Sequence, residues 1–236
     1  SNLIFEGLNE SQTKAVNTLK GPLLILAGAG SGKTRTLTHR IANLIHNGVE
    51  PWRILAVTFT NKAANEMKDR ISALLKLTNA NSDNMPATGT FHSICVRILR
   101  RDIEKIGRDR NFVIYDTSDQ ETLMKGILKD MNIDSKELKP KAALGQVGKF
   151  KSEAMNTKEV AEQATSDWMA RMVKIYSTYQ NKLKENNALD FDDLILECIR
   201  LFREAPDVLD RYQNTWKYLN VDEYQDTNHA QYIFIS

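Results

Sequence analysis

A glycine-rich segment near the start of the chain carries the residue types that bind a polyphosphate. It reads Ala27-Gly28-Ala29-Gly30-Ser31-Gly32-Lys33-Thr34. Small residues let the backbone wrap closely around phosphates, and the N–H groups at the start of a following helix point towards the anion. A lysine adds positive charge for the β- and γ-phosphates, and a threonine hydroxyl is a ligand for Mg²⁺. The segment therefore predicts a nucleotide site in which Lys33 contacts phosphate and Thr34 contacts the metal.

An acidic pair later in the chain could complete such a site. Asp222-Glu223 directly follows the apolar run Tyr218-Leu219-Asn220-Val221, which predicts a strand. Phosphoryl transfer needs one carboxylate for the metal and a group that directs water, so we assign Asp222 to Mg²⁺ and Glu223 to the attacking water. The plainer interpretations are a solvated acidic turn and a glycine-rich turn that binds nothing. Both lose weight because a predicted strand and helix flank the glycine-rich segment in the required order.

Short apolar runs and amphipathic repeats alternate between residues 22 and 91, and they must position these motifs. The apolar runs predict strands over residues 23–26, 54–57 and 87–90. Apolar residues at helical spacing predict helices between them, the first of which ends near Gly48, and a last helix over residues 92–101. The residues with this spacing are Leu37, Ile41, Leu44 and Ile45, then Ala63, Met67, Ile71, Leu74 and Leu75. Strand–helix alternation predicts a parallel, doubly wound sheet with right-handed crossovers.

The pattern changes between residues 105 and 187. Strand-like runs disappear there apart from Phe112-Val113-Ile114-Tyr115, and helical repeats such as that over residues 166–184 dominate. We therefore predict one nucleotide-binding domain made of residues 1–104 and 188–236. A mostly helical insertion, residues 105–187, interrupts it.

Bulk composition excludes few functions. The 236 residues carry 32 basic and 30 acidic side chains, a net charge of +2, so any contact with nucleic acid must depend on local patches. The two cysteines, Cys95 and Cys198, are far apart and lack zinc-ligand spacing, which favours a reducing compartment and a cytoplasmic location. No apolar run approaches the roughly 20 residues that cross a bilayer, so we expect no membrane partner.

Two features bear on the choice of base. Guanine-specific switch proteins use Asn-Lys-x-Asp, and Asn61-Lys62-Ala63-Ala64 lacks the final aspartate. Gln12 can both donate to and accept from an adenine edge, although a glutamine chosen on chemistry alone is more often a surface residue. The missing aspartate points away from a guanine-specific protein, and Gln12 taken alone does not identify the base.

Six segments, taken in order, closely resemble the UvrD/PcrA/Rep-type superfamily 1 DNA helicases, and most closely the PcrA type. They are Leu8-Asn9-Glu10-Ser11-Gln12, residues 27–34, Thr58-Phe59-Thr60-Asn61-Lys62-Ala63-Ala64, Thr90-Phe91-His92-Ser93, Leu189-Asp190-Phe191-Asp192-Asp193-Leu194 and Asp222-Glu223-Tyr224-Gln225-Asp226-Thr227. The resemblance covers nearly the whole chain. It implies an α/β fold: a P-loop (RecA-like) parallel sheet flanked by helices, with a mostly helical inserted subdomain.

The resemblance also implies the cofactors ATP and Mg²⁺ and assigns roles around them. Gln12 would read adenine with Arg35 beside the base, and residues 27–34 would hold the phosphates. Gln225 would couple the γ-phosphate to the DNA path. The implied catalytic residues are Lys33, Glu223 and Gln225, and the implied metal ligands are Thr34 and Asp222.

Four further residues would line a track for single-stranded DNA: Phe59, Asn61, Thr90 and His92. An aromatic face can stack on any base, while amide, hydroxyl and imidazole groups hold phosphates without reading sequence. Core filling by Phe59 and backbone hydrogen bonding by His92 are the alternatives. The resemblance further implies 3′-to-5′ movement, contact of the helical insertion with duplex junctions, and a role in DNA repair or replication.

Two charged groups of residues have plainer alternatives. The basic stretch could contact phosphate or form a solvated face, and it contains Arg97, Arg100, Arg101, Lys105, Arg108 and Arg110. The acidic residues of the segment 190–193 could suggest a metal, but they stand at a predicted helix start, where carboxylates favour the helix dipole. For the acidic group we predict a structural role.

The run Tyr232-Ile233-Phe234-Ile235-Ser236 is apolar, which indicates a cut through a domain. The resemblance places a second motor domain of the same protein beyond it, so we expect the chain to bind Mg-ATP, hydrolyse it poorly and not unwind DNA. A non-catalytic, ATP-gated DNA-binding module is the alternative. A P-loop enzyme acting on a small molecule is a third reading, which the ordered helicase segments disfavour.

Overall fold

The computed structural model describes residues 2–20, 32–77, 85–222 and 233. The chain divides into two compact units, one from Ser1–Ile94 with Asp207–Thr227 and one from Cys95–Pro206 with Asn228–Ser236. The domain boundaries predicted after residues 104 and 187 stay a prediction. The strand predicted over residues 23–26 lies outside the described residues.

The described chain contains five β-strands, ten α-helices and three short 3₁₀ helices. The strands are β1 (Ile54–Thr58), β2 (Ala87–Thr90), β3 (Val113–Tyr115), β4 (Ala188–Asp190) and β5 (Tyr218–Val221). The α-helices are α1 (Glu10–Asn17), α2 (Lys33–His46), α3 (Asn61–Leu77), α4 (Phe91–Asp102), α5 (Thr117–Asp130), α6 (Pro140–Ser152), α7 (Thr157–Glu162), α8 (Asp167–Glu185), α9 (Phe191–Glu204) and α10 (Pro206–Thr215). Short 3₁₀ helices cover Asn2–Ile4, Pro51–Arg53 and Ile103–Ile106. None of the described helices combines the length and apolar character needed to cross a membrane.

The first unit contains a parallel sheet in the order β2-β1-β5. Every residue of β1 is buried, as expected for a central strand covered on both faces. The strands predicted over residues 54–57 and 87–90 are confirmed, and so is the parallel arrangement. Helices flank the sheet, so the predicted α/β class is confirmed as well.

Helices α2 and α3 share a hydrophobic core with β1. The buried side chains of this core are Leu37, Ile41, Ala42, Leu44, Ile54, Ala56, Met67, Ile71 and Leu75. Ile45 and Leu74, predicted on the same faces, pack against it from partly buried positions. Helix α2 ends at His46, and Gly48 adopts a φ of +90°, a conformation that glycine reaches without steric cost.

The second unit is mostly helical and has its own core, built mainly from α5, α6 and α8. Its short sheet pairs β3 with β4 in parallel. The sequence pattern predicts no strand at β4, because the strand has only three residues and ends in the polar Asp190. Its position is set by pairing with β3, a contact between distant parts of the chain.

A buried ion cluster joins α6 to the start of α9. The Lys151 side chain is 0% exposed, and its Nζ lies 2.6 Å from Asp190 Oδ2 and 2.9 Å from Asp193 Oδ1. The Tyr179 hydroxyl donates to the same Asp190 oxygen at 2.8 Å. Asp190 is the N-cap of α9 and forms a reciprocal capping box with Asp193. The prediction that these carboxylates serve a helix start is confirmed.

Electrostatics explain why this cluster stays charged. Burial alone would lower the pKa of Lys151, but the carboxylates of Asp193 and Asp190 raise it above its ordinary value. Burial raises the pKa of Asp193 to about 6, against the opposing effect of Lys151. Burial would also raise the pKa of Asp190, but Lys151 holds it below its usual value. The lysine is therefore the cation that allows these two carboxylates to be buried.

Three arginines of the basic stretch form hydrogen bonds or an ion pair within the helical unit. Arg100, Arg108 and Arg110 have protein partners among the described residues. Arg100 donates to the carbonyl oxygens of Arg110 and Phe112, Arg108 donates to that of Ala188, and Arg110 pairs with Glu104. These three guanidinium groups brace the loop before β3, which is a structural use of the charge.

Replacing Lys151 with methionine should destabilise the chain strongly. The change leaves Asp190 and Asp193 buried without their cation, and removing one partner of a buried pair typically costs about 3–5 kcal/mol. Urea unfolding followed by circular dichroism measures the loss. Lys141→Met is the matched control, because the Lys141 side chain is 83% exposed and its Nζ lies 3.9 Å from Glu121. Such surface pairs contribute little, so equal losses in both variants would contradict the prediction.

Candidate functional site

The carboxyl ends of the three parallel strands of the first unit meet at one edge of the sheet. The register pairs the last residue of β1 with the last residue of β2, and the penultimate residue of β1 with the last residue of β5. Phe59, Phe91 and Asp222 directly follow these strands. In open parallel sheets this edge is where ligands bind.

At this edge Thr34 and Asp222 are in direct contact. The Thr34 hydroxyl donates to Asp222 Oδ2 at 2.8 Å. Asp222 is only 2% exposed, and its backbone N–H extends the sheet by donating to the Val57 carbonyl oxygen at 2.9 Å. Two residues that the sequence assigns to one metal therefore meet across the fold, one from the start of a helix and one from the end of a strand.

The start of α2 has the geometry of an anion-binding helix end. Gly32 is its N-cap and has a φ of +80°, in the left-handed region that favours glycine. Lys33 and Thr34 are the first two helical residues and are half-buried. The first N–H groups of a helix have no partner within it, so this end attracts negative charge. The contact of Thr34 with Asp222 places this positive helix end at the carboxyl edge of the sheet.

The oxygen atoms at this edge fit a Mg²⁺ ion. Mg²⁺ prefers hard oxygen ligands and is commonly held by one or two carboxylates together with substrate phosphates. Thr34 supplies a hydroxyl and Asp222 a carboxylate. Asp222 Oδ1 is buried and has no hydrogen-bond partner among the described residues. A buried carboxylate oxygen without a donor is costly unless a cation or water satisfies it.

Gln12 lies beside the end of the glycine-rich segment. It is held by a capping box in which its Oε1 accepts from the Asn9 N–H at 3.0 Å and its own N–H donates to Asn9 Oδ1 at 2.9 Å. Its Nε2 comes so close to Gly32 that a Cβ there would lie 2.8 Å from it. The structure therefore brings the predicted base-reading residue to the predicted phosphate loop and orients its side chain.

Arg35 is exposed and contacts the N-terminal segment. Its Nη2 donates to the Glu6 carbonyl oxygen at 3.1 Å. Gly7 lies against the guanidinium group and has a φ of +71°, so a side chain at that position would be strained and would collide with Arg35. The first turn of α2 is thus joined to the segment that precedes α1.

The predicted DNA-track residues fall at the same edge of the sheet. Phe59 is half-buried and packs on the buried Phe91, with ring centroids 5.3 Å apart and an interplanar angle of 60°. Asn61 is exposed at the first position of α3. Phe59 is therefore partly a core residue, as its alternative interpretation holds, and it keeps an accessible surface.

Thr90 and His92 flank the junction of β2 and α4. Thr90 ends the strand, and its hydroxyl oxygen accepts from the Ser93 N–H at 3.1 Å, which caps the helix. His92 is half-buried, and burial lowers its pKa. A lowered pKa favours the neutral form of the imidazole, whose ring N–H can still donate a hydrogen bond.

Two polar residues near the site are not singled out by the sequence motifs. Arg40 and Asn220 are both buried and hydrogen bonded to each other. A signal was available for each, since Arg40 stands on α2 among the apolar positions of its buried face and Asn220 interrupts an apolar strand. Neither belongs to a recognised phosphate motif, which is why motif reasoning passes over them.

Several predicted site residues lie outside the described residues, so the structure gives no account of them. They are Ala27, Gly28, Ala29, Gly30, Ser31, Glu223 and Gln225.

Comparison with known proteins identifies relatives along the whole chain. Residues 8–236 match the family model for the UvrD/REP helicase N-terminal domain. The chain is 50% identical over 236 residues to the ATP-dependent DNA helicase PcrA of Bacillus subtilis (strain 168), an alignment that covers 100% of this chain and 31% of that protein. It is 51% identical over 231 residues to the ATP-dependent DNA helicase PcrA of Leuconostoc citreum, covering 98% of this chain and 30% of that protein.

A third relative has a similar sequence identity and similar coverage of both chains. The ATP-dependent DNA helicase PcrA of Staphylococcus aureus (strain Mu50) is 49% identical over 236 residues, which cover 99% of this chain and 32% of that protein. The chain thus spans about a third of the length of the curated relatives it matches. Because the family model extends from residue 8 to residue 236, the chain belongs to the UvrD/REP helicase family.

Proposed function

We propose that this chain is the ATP-binding part of an ATP-dependent DNA helicase of the PcrA type, which moves 3′ to 5′ on single-stranded DNA. The observation that carries the proposal is the hydrogen bond from Thr34 to Asp222, with Asp222 buried at the carboxyl edge of a parallel sheet. A hydroxyl at a helix start and a carboxylate at a strand end are the two protein groups that a P-loop enzyme uses to hold Mg²⁺. The names of the relatives support the same activity.

Each residue has a task that follows from its place. Lys33, at the positive end of α2, would attract the β- and γ-phosphates, while Thr34 and Asp222 would hold Mg²⁺. A bound Mg²⁺ ion would neutralise the negative charge that develops on the phosphates. Gln12 would recognise adenine from its position beside Gly32.

The remaining assignments complete the proposal. Residues 27–31 would wrap the phosphates, Glu223 would direct the attacking water, and Gln225 would couple the γ-phosphate to the DNA path. Arg35 would stand beside the base. The side chains proposed to contact single-stranded DNA are Phe59, Asn61, Thr90 and His92. A role in DNA repair or replication, a cytoplasmic location and contact of the helical unit with duplex junctions remain predictions from the sequence.

Turnover should depend on parts of the protein that this chain does not contain. The relatives are about three times as long, and we propose a second motor domain that supplies arginines to the γ-phosphate. Such arginines are worth about 10³–10⁵ in turnover in phosphoryl-transfer enzymes. The 236-residue chain would therefore bind Mg-ATP and hydrolyse it slowly.

Mg-dependent ATP binding and turnover by the 236-residue chain test this proposal, with Lys33→Ala as the blank. We expect Mg-ATP binding that Lys33→Ala weakens, and turnover near the blank with or without single-stranded DNA. If the chain does not bind Mg-ATP, the proposed nucleotide site is wrong. Strong stimulation of turnover by DNA would instead show that this chain alone completes the catalytic centre.

Replacing Thr34 with valine should raise the Mg²⁺ concentration needed for ATP binding by roughly tenfold, because it removes one oxygen near the ion while keeping the side-chain shape. Thr38→Val is the matched control on the same helix, since the Thr38 hydroxyl donates to the Arg35 carbonyl oxygen instead. A titration of a fluorescent ATP analogue at several Mg²⁺ concentrations measures both. The assignment of Thr34 to the metal fails if the two variants have equal Mg²⁺ requirements.

Replacing Phe59 with alanine should weaken binding of single-stranded oligonucleotides of mixed sequence. Stacking of a base on an aromatic side chain is worth about 1–3 kcal/mol. Fluorescence anisotropy with a labelled oligonucleotide measures the change. Trp52→Ala is the control, because Trp52 is an exposed aromatic residue that precedes β1, whereas Phe59 follows it. Similar losses in both variants would count against a stacking role for Phe59.

A further inference from the structure

Arg40 is a buried cation in the middle of α2. Its side chain is 1% exposed and is the largest fully buried side chain among the described residues. Its Nε donates to the Thr18 carbonyl oxygen at 3.1 Å, and its Nη1 donates to Asn220 Oδ1 at 2.5 Å. The guanidinium group therefore connects α2 both to the end of α1 and to the strand β5.

The partners of Arg40 make this arrangement unusual. Within the described chain, the Thr18 carbonyl oxygen and Asn220 Oδ1, which accept hydrogen bonds from Arg40, are both neutral, whereas Lys151 in the other unit is held by two carboxylates. Burial of a charge is costly unless it is paired or well hydrogen bonded. A hydrophobic side chain of similar length would avoid that cost, so a purely structural need for packing does not explain an arginine here.

Asn220, the partner of Arg40, lies on strand β5. It stands two residues before Asp222, and residues at this spacing on a strand point to the same face. The Asn220 side chain is 1% exposed and accepts from Arg40 of α2, while the Asp222 side chain accepts from Thr34 of the same helix. Helix α2 and strand β5 are therefore attached at two points, one at the site and one deeper in the unit.

We propose that Arg40 and Asn220 are positioning residues that hold α2 against β5 and so set the placement of Thr34 relative to Asp222 for the metal. This inference rests on the proposed Mg-ATP site. Mg²⁺ demands near-ideal octahedral geometry with short bonds to oxygen. The apolar contacts of α2 with β1 and α3 are non-directional, so with Thr34 as its single hydrogen-bonded attachment towards β5 the helix could still rotate or slide slightly relative to that strand. A second attachment six residues further along α2, about 9 Å of helix axis, restricts this movement.

A different role for Arg40 predicts the opposite result. If the guanidinium group acted only through its charge, it would repel a nearby cation, and its removal would strengthen Mg²⁺ binding. The positioning role predicts weaker Mg²⁺ binding when the side chain of either Arg40 or Asn220 is removed. Replacing Asn220 with alanine changes no charge, so a role through charge alone predicts no effect of that variant. For the Arg40 variant, the positioning role predicts weaker Mg²⁺ binding and a role through charge predicts stronger binding. For the Asn220 variant, the positioning role predicts weaker Mg²⁺ binding and a role through charge predicts no change.

The experiment compares Arg40→Met and Asn220→Ala with the wild-type 236-residue chain. A fluorescent ATP analogue is titrated with Mg²⁺ removed by EDTA, and then Mg²⁺ is titrated at a fixed concentration of the analogue. We expect the half-saturating Mg²⁺ concentration to rise about tenfold in both variants, since removal of residues that orient metal ligands typically costs about 10–100-fold in metal affinity. Affinity for the Mg-free nucleotide should stay at the wild-type value.

Two further variants separate positioning from stability. Arg40→Lys keeps the charge but lacks the planar fork that reaches two acceptors, so it should behave like Arg40→Met. Lys151→Met lowers stability from within the other unit and should leave the Mg²⁺ requirement unchanged. Should Arg40→Met fail to fold, Asn220→Ala carries the test, because it leaves the arginine in place.

The outcomes separate this inference from the proposed function. If the wild-type chain binds no Mg-ATP, the proposed function fails and the inference fails with it. If the wild-type chain binds Mg-ATP and the Arg40 and Asn220 variants have an unchanged or lower Mg²⁺ requirement, the inference alone is overturned. The positioning role is supported if both variants require more Mg²⁺ and bind the Mg-free nucleotide as the wild-type chain does. The Lys151→Met variant should then have the wild-type Mg²⁺ requirement.

Discussion

The hydrogen bond between Thr34 and Asp222 is the contact on which the candidate site depends, because it joins residues 188 positions apart in the chain. It requires that α2 begin at the carboxyl edge of the sheet and that β5 end at the same edge. The parallel register of β1 and β5 meets the second requirement. Since parallel strands need a connection across the sheet, a long stretch of chain can leave the unit and return without disturbing this edge.

The chain uses that freedom between residues 94 and 207, where it forms a unit with its own core. The return segment is secured inside this unit by Lys151, which lies between the carboxylates of Asp190 and Asp193. These carboxylates belong to one of the segments that resemble the helicase family. Their structural role shows that a motif shared with a family can serve folding, here by capping α9 and anchoring it to α6.

The two buried cations illustrate different solutions to one physical problem. Lys151 is neutralised by carboxylates, whose charge keeps its pKa raised despite burial. Arg40 depends on neutral acceptors, and burial lowers its pKa from the ordinary value. An arginine tolerates this environment because its charge is delocalised over a planar group with five donors and it remains protonated even when its pKa falls. A lysine at the same place could not reach both acceptors.

Local patterns in the sequence determined the strands β1, β2 and β5, the helices between them, the α/β class and the residue types of the site, because apolar periodicity and helix caps are properties of neighbouring residues. Tertiary structure alone decided the strand β4, the partial burial of Phe59 against Phe91, and the pairing of Arg40 with Asn220. Each of these depends on a contact between distant segments. Such contacts are set by how whole elements pack, and no window of neighbouring residues contains both partners.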